Sequence, residues 1–143
     1  MIILDTNIVS EIFRIAPDVS VRAWLDTQTS TDLFLCSPVL AELRYGIERL
    51  APGKRKTGLE KSLTEVQTNL FEGRILPFDR ASAYEFGRVR ARRAGTGRPM
   101  QTMDALIAAI AISHRMTLAT RDVVDFADLG LDLINPFEPE VAR

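Results

Sequence analysis

The chain has one cysteine and one histidine among its 143 residues. A lone cysteine excludes an internal disulfide and is compatible with a reducing compartment. Because Cys36 closes an apolar run at residues 33–36, we predict a buried strand residue and not a nucleophile. His114 falls at the predicted carboxyl end of a helix, where a surface role is expected. The composition therefore disfavours zinc sites and histidine-based catalysis.

The chain also lacks a long apolar run. The stretches at the amino terminus and at residues 105–112 are too short for a signal peptide or a membrane span, so we expect a soluble, cytoplasmic protein with no membrane partner. The composition is ordinary for a globular protein, with 46% hydrophobic and 26% charged residues. From the length we predict a single domain over residues 1–143.

Net charge is small, at −1, but charge is unevenly distributed. Residues 74–98 contain seven arginines and two acids, whereas residues 122–140 contain six acids and no base. An arginine-rich segment could contact a phosphate backbone without reading its sequence, and a plain solvated helix face is an equal alternative. The candidate phosphate-binding residues are Arg88, Arg90, Arg92 and Arg93.

Apolar runs alternate with helical patterns along the chain. Strands are predicted at residues 2–4, 33–36, 74–78, 117–120 and 131–134. Strands separated by helices indicate an α/β fold, in which a parallel sheet of about five strands has helices on both faces. The predicted helix at residues 103–112 is apolar on nearly every side and should be buried.

Two segments between the second and third strands have distinct patterns. Residues 54–56 are all basic and would oppose the dipole at a helix amino end, so we place them in a loop. The following apolar residues repeat at heptad-like spacing, which suits packing against another helix either in the core or at an interface. They are Leu59, Leu63, Val66 and Leu70.

Four acids are predicted to converge at one edge of this sheet. Asp5 ends the first strand and Asp122 follows the fourth, and the carboxyl ends of strands in an open α/β sheet are where ligands bind. Glu42 lies in the second turn of the helix after the second strand, and Asp104 lies in the first turn of the apolar helix. Any one of them could be a helix cap or a solvated residue. Together at one edge they would repel one another unless a cation neutralised them.

A cluster of carboxylate oxygens selects a hard divalent ion, Mg²⁺ or Mn²⁺. Such ions polarise phosphoryl oxygens and generate hydroxide from water, so hydrolysis of phosphodiester bonds is the natural reaction class. A haloacid-dehalogenase-like phosphatase would need a second acid where this chain has Asn7, and a receiver domain would need a lysine where it has Asn135-Pro136. Both remain as weaker alternatives.

Several motifs, taken in order along the chain, resemble one known family. They are Leu4-Asp5-Thr6-Asn7, Ala41-Glu42-Leu43 followed by Tyr45-Gly46, Asp104-Ala105-Leu106-Ile107-Ala108-Ala109, Ala119-Thr120-Arg121-Asp122 with Asp125-Phe126, and Asn135-Pro136-Phe137. This ordered set runs over essentially the whole chain. It resembles PIN-domain proteins, and most nearly the VapC/FitB type of bacterial toxin ribonuclease from type II toxin–antitoxin systems.

The resemblance implies a compact three-layer α/β/α domain that hydrolyses RNA as an Mg²⁺- or Mn²⁺-dependent endoribonuclease. Asp5 and Asp104 would match the family's principal metal ligands, with Glu42 and Asp122 completing the catalytic set. The supporting residues would be Thr6 or Asn7 together with Thr120, which would orient carboxylates or water, and Asp125, which would be a ligand's neighbour or a helix cap.

The resemblance also implies partners. They are a second copy of the chain in a homodimer, an RNA substrate such as tRNA, and a cognate antitoxin that blocks the metal site and supplies operator DNA binding. Residues 59–70 and the preceding helix are candidates for the antitoxin groove, and the arginine-rich helix is a candidate RNA track. The remaining alternative is a non-catalytic PIN or receiver-like module used for binding or signalling.

Overall fold

The computed structural model describes residues 1–138, which form a central sheet flanked by helices. The strands are β1 (Ile2–Leu4), β2 (Leu33–Cys36), β3 (Ile75–Leu76), β4 (Thr117–Ala119) and β5 (Leu133–Ile134). All neighbouring strands pair in parallel, in the order β3-β2-β1-β4-β5. This confirms the predicted α/β/α architecture with five parallel strands. Residues 139–143, which include the acid at position 140, lie outside the described part of the chain.

The helices lie two by two in the connections from β1 to β2, from β2 to β3 and from β3 to β4. They are α1 (Thr6–Ile12), α2 (Val19–Thr27), α3 (Ser37–Glu48), α4 (Lys54–Glu65), α5 (Arg80–Gly95) and α6 (Thr102–His114), with a 3₁₀ turn at Ser30–Asp32 and a π-helix at Val66–Leu70. No helix among residues 1–138 is long and apolar enough to cross a membrane.

The strand order fixes where a ligand site belongs. The chain passes from β1 to β2 and β3 on one side of the sheet, and then to β4 and β5 on the other. The direction of winding therefore reverses between β1 and β4, and ligands of open α/β sheets bind outside the carboxyl ends of strands at such a switch point. The register pairs Leu4 with Ala119, so Asp5 and Thr120 follow the two strands at the same level.

Helix α6 forms the centre of the core, as predicted. Ala105, Ile107 and Ile110 have no exposed surface, and α6 packs against both α3 and α5. The helix ends because Arg115 adopts a left-handed backbone conformation, with φ of 54°, and β4 begins two residues later. Cys36 at the end of β2 is fully buried, which confirms the strand-core prediction.

Two local predictions differ from the structure. The third and fifth strands are shorter than predicted. The third ends before Pro77, which has no backbone N–H for further pairing, and the fifth begins two residues later than predicted and ends at Ile134 as predicted. Residues 54–56 were predicted to be a loop but form the first turn of α4. The Nζ of Lys56 lies 3.3 Å from the carbonyl oxygen of Glu48, so the carboxyl end of α3 stabilises the positive charge that the amino end of α4 disfavours.

The heptad-like stripe divides between core and surface. Leu63 and Val66 are 3% and 7% exposed and belong to the core. Leu70, at the end of the π-helix, is 43% exposed. Leu59, at the other end of the stripe, is half-buried. The end at Leu70 is therefore the most accessible part of the stripe.

Candidate functional site

The predicted site lies at the switch point, where Asp5 links β1 to α1. The backbone N–H of Asp5 donates to the carbonyl oxygen of Ala119 at 2.9 Å, which joins the ends of β1 and β4. The Asp5 side chain is the N-cap of α1, and its Oδ1 accepts a hydrogen bond from the backbone N–H of Thr6 at 2.7 Å. With 5% of its surface exposed, this carboxylate is held in one orientation.

Thr120 connects Asp5 to the segment that carries Asp122. Its hydroxyl is fully buried and donates to Asp5 Oδ2 at 2.6 Å. The same hydroxyl oxygen accepts from the backbone N–H of Asp122 at 3.0 Å. One buried hydroxyl therefore fixes both the Asp5 carboxylate and the backbone from which the Asp122 side chain projects.

Two further polar residues orient the carboxylates. The amide Nδ2 of Asn7 donates to Asp122 Oδ2 at 3.1 Å and lies 3.5 Å from Asp5 Oδ2. The hydroxyl of Thr6 donates to Glu42 Oε1 at 3.1 Å, which brings α3 to the same site. The structure thus places Thr6, Asn7 and Thr120 in contact with carboxylates of the predicted set.

Asp104, in the first turn of α6, lies at the electrostatic centre of the group. Its pKa is raised to about 6, first by burial and then by the negative charges of Asp5, Asp125, Glu42 and Asp122, in that order. Asp125 therefore lies within electrostatic range of Asp104. We call the side chains of Asp5, Glu42, Asp104 and Asp122 the acidic edge.

Two other carboxylates of the acidic edge, Asp5 and Glu42, also have raised pKa values. Burial raises the pKa of Asp5, and Asp122 adds to this, while hydrogen bonds from Thr120 and Thr6 oppose it. Burial also raises the pKa of Glu42, with Asp5 adding to the effect and Thr6 opposing it. The folded protein thus collects negative charges that disfavour one another.

The acidic edge has the donor atoms for a metal ion but not, as it stands, the arrangement. Among residues 1–138, no group of three or more His, Cys, Asp or Glu side chains is arranged to hold a metal in the described conformation. The donor chemistry nevertheless suits a hard divalent ion, since every candidate ligand is a carboxylate oxygen and the shared negative charge is what a cation relieves. A cavity of about 410 Å³ lies elsewhere, between α2 and the end of β5.

Three of the four predicted phosphate-binding arginines are exposed on α5. Arg90 lies with its guanidinium 5.6 Å from the ring centre of Phe86 and donates to the Thr102 hydroxyl at 3.2 Å, which places it beside the start of α6. Arg88 pairs with Glu85, one turn back on the same helix. Arg92 is exposed.

The prediction for Arg93 is wrong. The residue is 6% exposed, and its guanidinium donates at 3.0 Å to the carbonyl oxygens of Arg98, Asp125 and Ala127. We call this set of contacts the Arg93 clamp. Buried positions on α5 recur at 82, 89 and 93, so helical spacing could have placed Arg93 on the inner face. The clamp holds the segment that follows Asp122, and it is unavailable to an external phosphate.

Comparison with known proteins shows the family of the chain. The family model for the PIN domain matches residues 2–130. A protein of Sinorhizobium fredii named as a VapC ribonuclease is 39% identical over 139 residues, which cover 97% of this chain and 99% of the relative. Toxin FitB of Neisseria gonorrhoeae is 39% identical over 137 residues, covering 96% and 99%. A solved structure of FitAB bound to a DNA fragment contains a chain with a TM-score of 0.92 and 38% identity, with full coverage of both chains.

Proposed function

Because this chain belongs to the PIN-domain family, we propose that it is a metal-dependent endoribonuclease and the toxin of a type II toxin–antitoxin pair. Two full-length relatives carry the names of a ribonuclease and a toxin. The observation that carries the proposal is the convergence of four negative charges on Asp104 at the switch point of the sheet. The family match also leaves no place for the phosphatase and receiver alternatives.

The proposal includes Mg²⁺ or Mn²⁺ held by the acidic edge. Asp5, Glu42, Asp104 and Asp122 would supply carboxylate oxygens, the ligands that these ions prefer. A bound divalent ion supplies activation of water and stabilisation of charge on phosphoryl oxygens. The raised pKa values of Asp5, Glu42 and Asp104 support the proposal, because a neutralising cation would remove the repulsion between these groups.

The neighbouring polar residues prepare the acidic edge for this role. Hydrogen bonds from Thr120 and Thr6 lower the pKa of Asp5, and the Thr6 hydroxyl lowers that of Glu42, so these donors keep the carboxylates charged against the effect of burial. They also fix the orientation of the Asp5 and Glu42 carboxylates before a ligand arrives. Such preorganised oxygens bind a cation without first losing side-chain freedom.

The test compares Asp104→Asn with Asp32→Asn, which removes the same charge at the opposite edge of the sheet, where β2 begins. Cleavage of total tRNA with Mg²⁺ or Mn²⁺ should fall by about 100-fold or more in Asp104→Asn, because charge stabilisation at the reacting group is lost. It should persist in Asp32→Asn and stop in EDTA. Calorimetric Mn²⁺ binding should disappear only in Asp104→Asn. A folded wild type that binds metal but cleaves no RNA would favour the binding-module alternative.

We also propose an RNA track along the exposed arginines of α5. Arg90 contacts Thr102 at the start of α6, two residues from Asp104, so the exposed side of α5 leads toward the acidic edge. Replacing Arg88, Arg90 and Arg92 together by Ala should lower RNA affinity and reduce the salt dependence of binding by about 0.7 for each phosphate that these arginines neutralise. An unchanged salt slope would mean that α5 presents only a solvated face.

The antitoxin is proposed to dock beside the exposed end of the stripe. A groove of about 370 Å³ there is lined by Ile12 and Phe13 from the end of α1 and by Val66 and Leu70 across from them. Leu70→Asp should weaken binding of the protein encoded beside this chain's gene, while Leu70→Ala should have a smaller effect. Replacing Leu63 by a charged residue is not a suitable test, since this side chain is buried and the substitution would destabilise the fold. We further expect a homodimer, which light scattering of the purified chain would test.

A further inference from the structure

Arg121 lies between two residues of the site, Thr120 and Asp122, yet none of the ion pairs among residues 1–138 involves it. Its backbone N–H donates to Asn7 Oδ1 at 3.3 Å, so its main chain is tied to the same network as the carboxylates. Its side chain is exposed. An arginine next in sequence to one of these carboxylates could pair with it.

An aromatic ring explains why it does not. The Cζ of Arg121 lies 3.7 Å from the ring centre of Phe137, which is stacking distance. Phe137 packs against the hydrophobic core, and its backbone N–H donates to Asn135 Oδ1 at 3.1 Å. The turn after β5 therefore holds the ring in place, and the ring holds the guanidinium away from the acids.

This arrangement leaves the charge of Arg121 available to an anion from outside. A guanidinium stacked on a ring still presents its N–H donors at its edges, in a planar fork that matches the oxygens of a phosphate. The acidic edge repels a polyanion, so a neighbouring cation is needed to bring a phosphate close before and during reaction. Among the arginines of the described chain, Arg121 is the one next in sequence to a carboxylate of the acidic edge.

We propose that Arg121 binds a backbone phosphate of the RNA strand at the rim of the acidic edge, with Phe137 as the platform that positions its guanidinium. This inference rests on the proposed nuclease function and adds a substrate-binding residue to it. It also gives the Asn135-Pro136-Phe137 turn a role, which is to hold the platform.

A purely structural role for the pair is the competing explanation. In that case Arg121 and Phe137 would only tie the end of the described chain to the loop after β4. Removing the charge would then lower thermal stability without changing the salt dependence of RNA binding. The two explanations therefore differ in the salt dependence of RNA binding, which a loss of stability alone does not change.

The experiment compares Arg121→Met, Arg121→Lys and Phe137→Leu with a matched control, Arg55→Met. Arg55 is exposed in the first turn of α4, which begins where α3 ends and so lies far from the carboxyl ends of the strands. Binding of a fluorescent single-stranded RNA is measured by anisotropy at several salt concentrations, with Ca²⁺ replacing Mg²⁺ and the RNA checked for integrity. Cleavage kinetics with Mg²⁺ and thermal unfolding are measured on the same samples.

For Arg121→Met we expect RNA affinity to fall by about 10- to 100-fold, which is the size of the effect of removing a charge-assisted hydrogen bond. The salt slope should fall by about 0.7, which corresponds to one single-strand phosphate. Arg121→Lys should retain the salt slope and have an intermediate RNA affinity, because lysine keeps the positive charge but lacks the planar fork of guanidinium donors. Phe137→Leu should lower affinity without changing the slope. Mn²⁺ binding and the control variant should match wild type.

Equal RNA affinity and salt slope in folded Arg121→Met and wild type would overturn the inference. The inference would also be overturned if Arg121→Met were unfolded and Phe137→Leu bound RNA normally. In that case the contact between the two residues would contribute to stability alone. Failure of the proposed function looks different, because wild type itself would then bind RNA without cleaving it. The comparison of Arg121 variants would still be valid in that case.

Discussion

At the Arg93 clamp, a buried positive charge donates hydrogen bonds to three backbone carbonyl oxygens at 3.0 Å each. At the acidic edge, Asp104 is surrounded by other negative charges, and no salt bridge among residues 1–138 includes a carboxylate of the acidic edge. The two regions lie at the two ends of one segment, since the clamp holds the carbonyls of Asp125 and Ala127 just after Asp122. The buried arginine thus holds the segment that carries Asp122, a carboxylate with no cationic partner among residues 1–138. The contrast indicates that the acidic edge lowers the stability of the folded protein, whereas the Arg93 clamp raises it.

Breaking the Arg93 clamp should have the largest effect on stability. Arg93→Met leaves three carbonyl oxygens without their donor, and we expect the free energy of unfolding to fall by about 3 kcal/mol. Activity should fall as well, because the segment after Asp122 loses its anchor. Chemical denaturation followed by circular dichroism measures the change, and Arg92→Met removes the neighbouring exposed arginine as a control. If both variants lose equally little stability, the clamp contributes no more than a surface arginine.

Neutralising the acidic edge should change stability in the opposite direction. The pKa of Asp104 is raised in the folded state to about 6 from an ordinary 3.8, so folding is disfavoured when this group is charged and stability increases as pH falls through 6 toward 4. Asp104→Asn should therefore raise the midpoint of thermal unfolding by about 5 °C in EDTA at pH 7.5, an effect limited by the partial exposure of the group. Near pH 4 the variant and wild type should converge.

The same pair of proteins can be compared with a divalent ion present. If the ion occupies the acidic edge, Mn²⁺ should stabilise wild type and leave Asp104→Asn nearly unchanged, since a ligand stabilises only the state that binds it. A variant that is less stable than wild type in EDTA at pH 7.5 would contradict the repulsion on which the comparison depends.

Substitution of an acid that caps a helix should lower stability, unlike substitution of Asp104. Asp18 is the N-cap of α2, and its Oδ1 accepts hydrogen bonds from the backbone N–H groups of Ser20 and Val21 at 2.9 and 3.1 Å. Asp18→Ala should lower the free energy of unfolding by about 1 kcal/mol with no loss of cleavage, whereas Asp18→Asn should be nearly neutral because it keeps the acceptor. Thermal unfolding of the two variants distinguishes them. Stabilisation by Asp18→Ala would contradict the expected difference between a capping acid and the acidic edge.

The fold could be predicted from the sequence because apolar periodicity and the succession of strands and helices can be recognised in short stretches of the chain. The buried helix α6 and the parallel sheet both follow from such patterns. The burial of Arg93 could have been predicted from the helical spacing of α5, but its charge suggested a surface position. Its hydrogen bonds to the carbonyl oxygens of Asp125 and Ala127 could not, because those residues are distant in sequence. The stacking of Arg121 on Phe137 likewise joins residues whose contact depends on how the chain turns after β5. The periodicity of a sequence predicts which face of a helix or strand is buried, but not which distant residues its polar side chains contact.

The smallest expected effect concerns Cys36, which lies in the core behind the acidic edge. The pKa of its thiol is raised to about 12, chiefly by burial and to a smaller extent by the negative charges of Asp5 and Glu42. Since the thiolate is the reactive form, a thiol reagent at pH 8 should label the folded protein hardly at all and label it fully in denaturant. Cys36→Ala should leave cleavage unchanged. Rapid labelling of the folded wild type would show that the end of β2 opens readily, and the acidic edge would then rest on a less rigid support than the buried strands indicate.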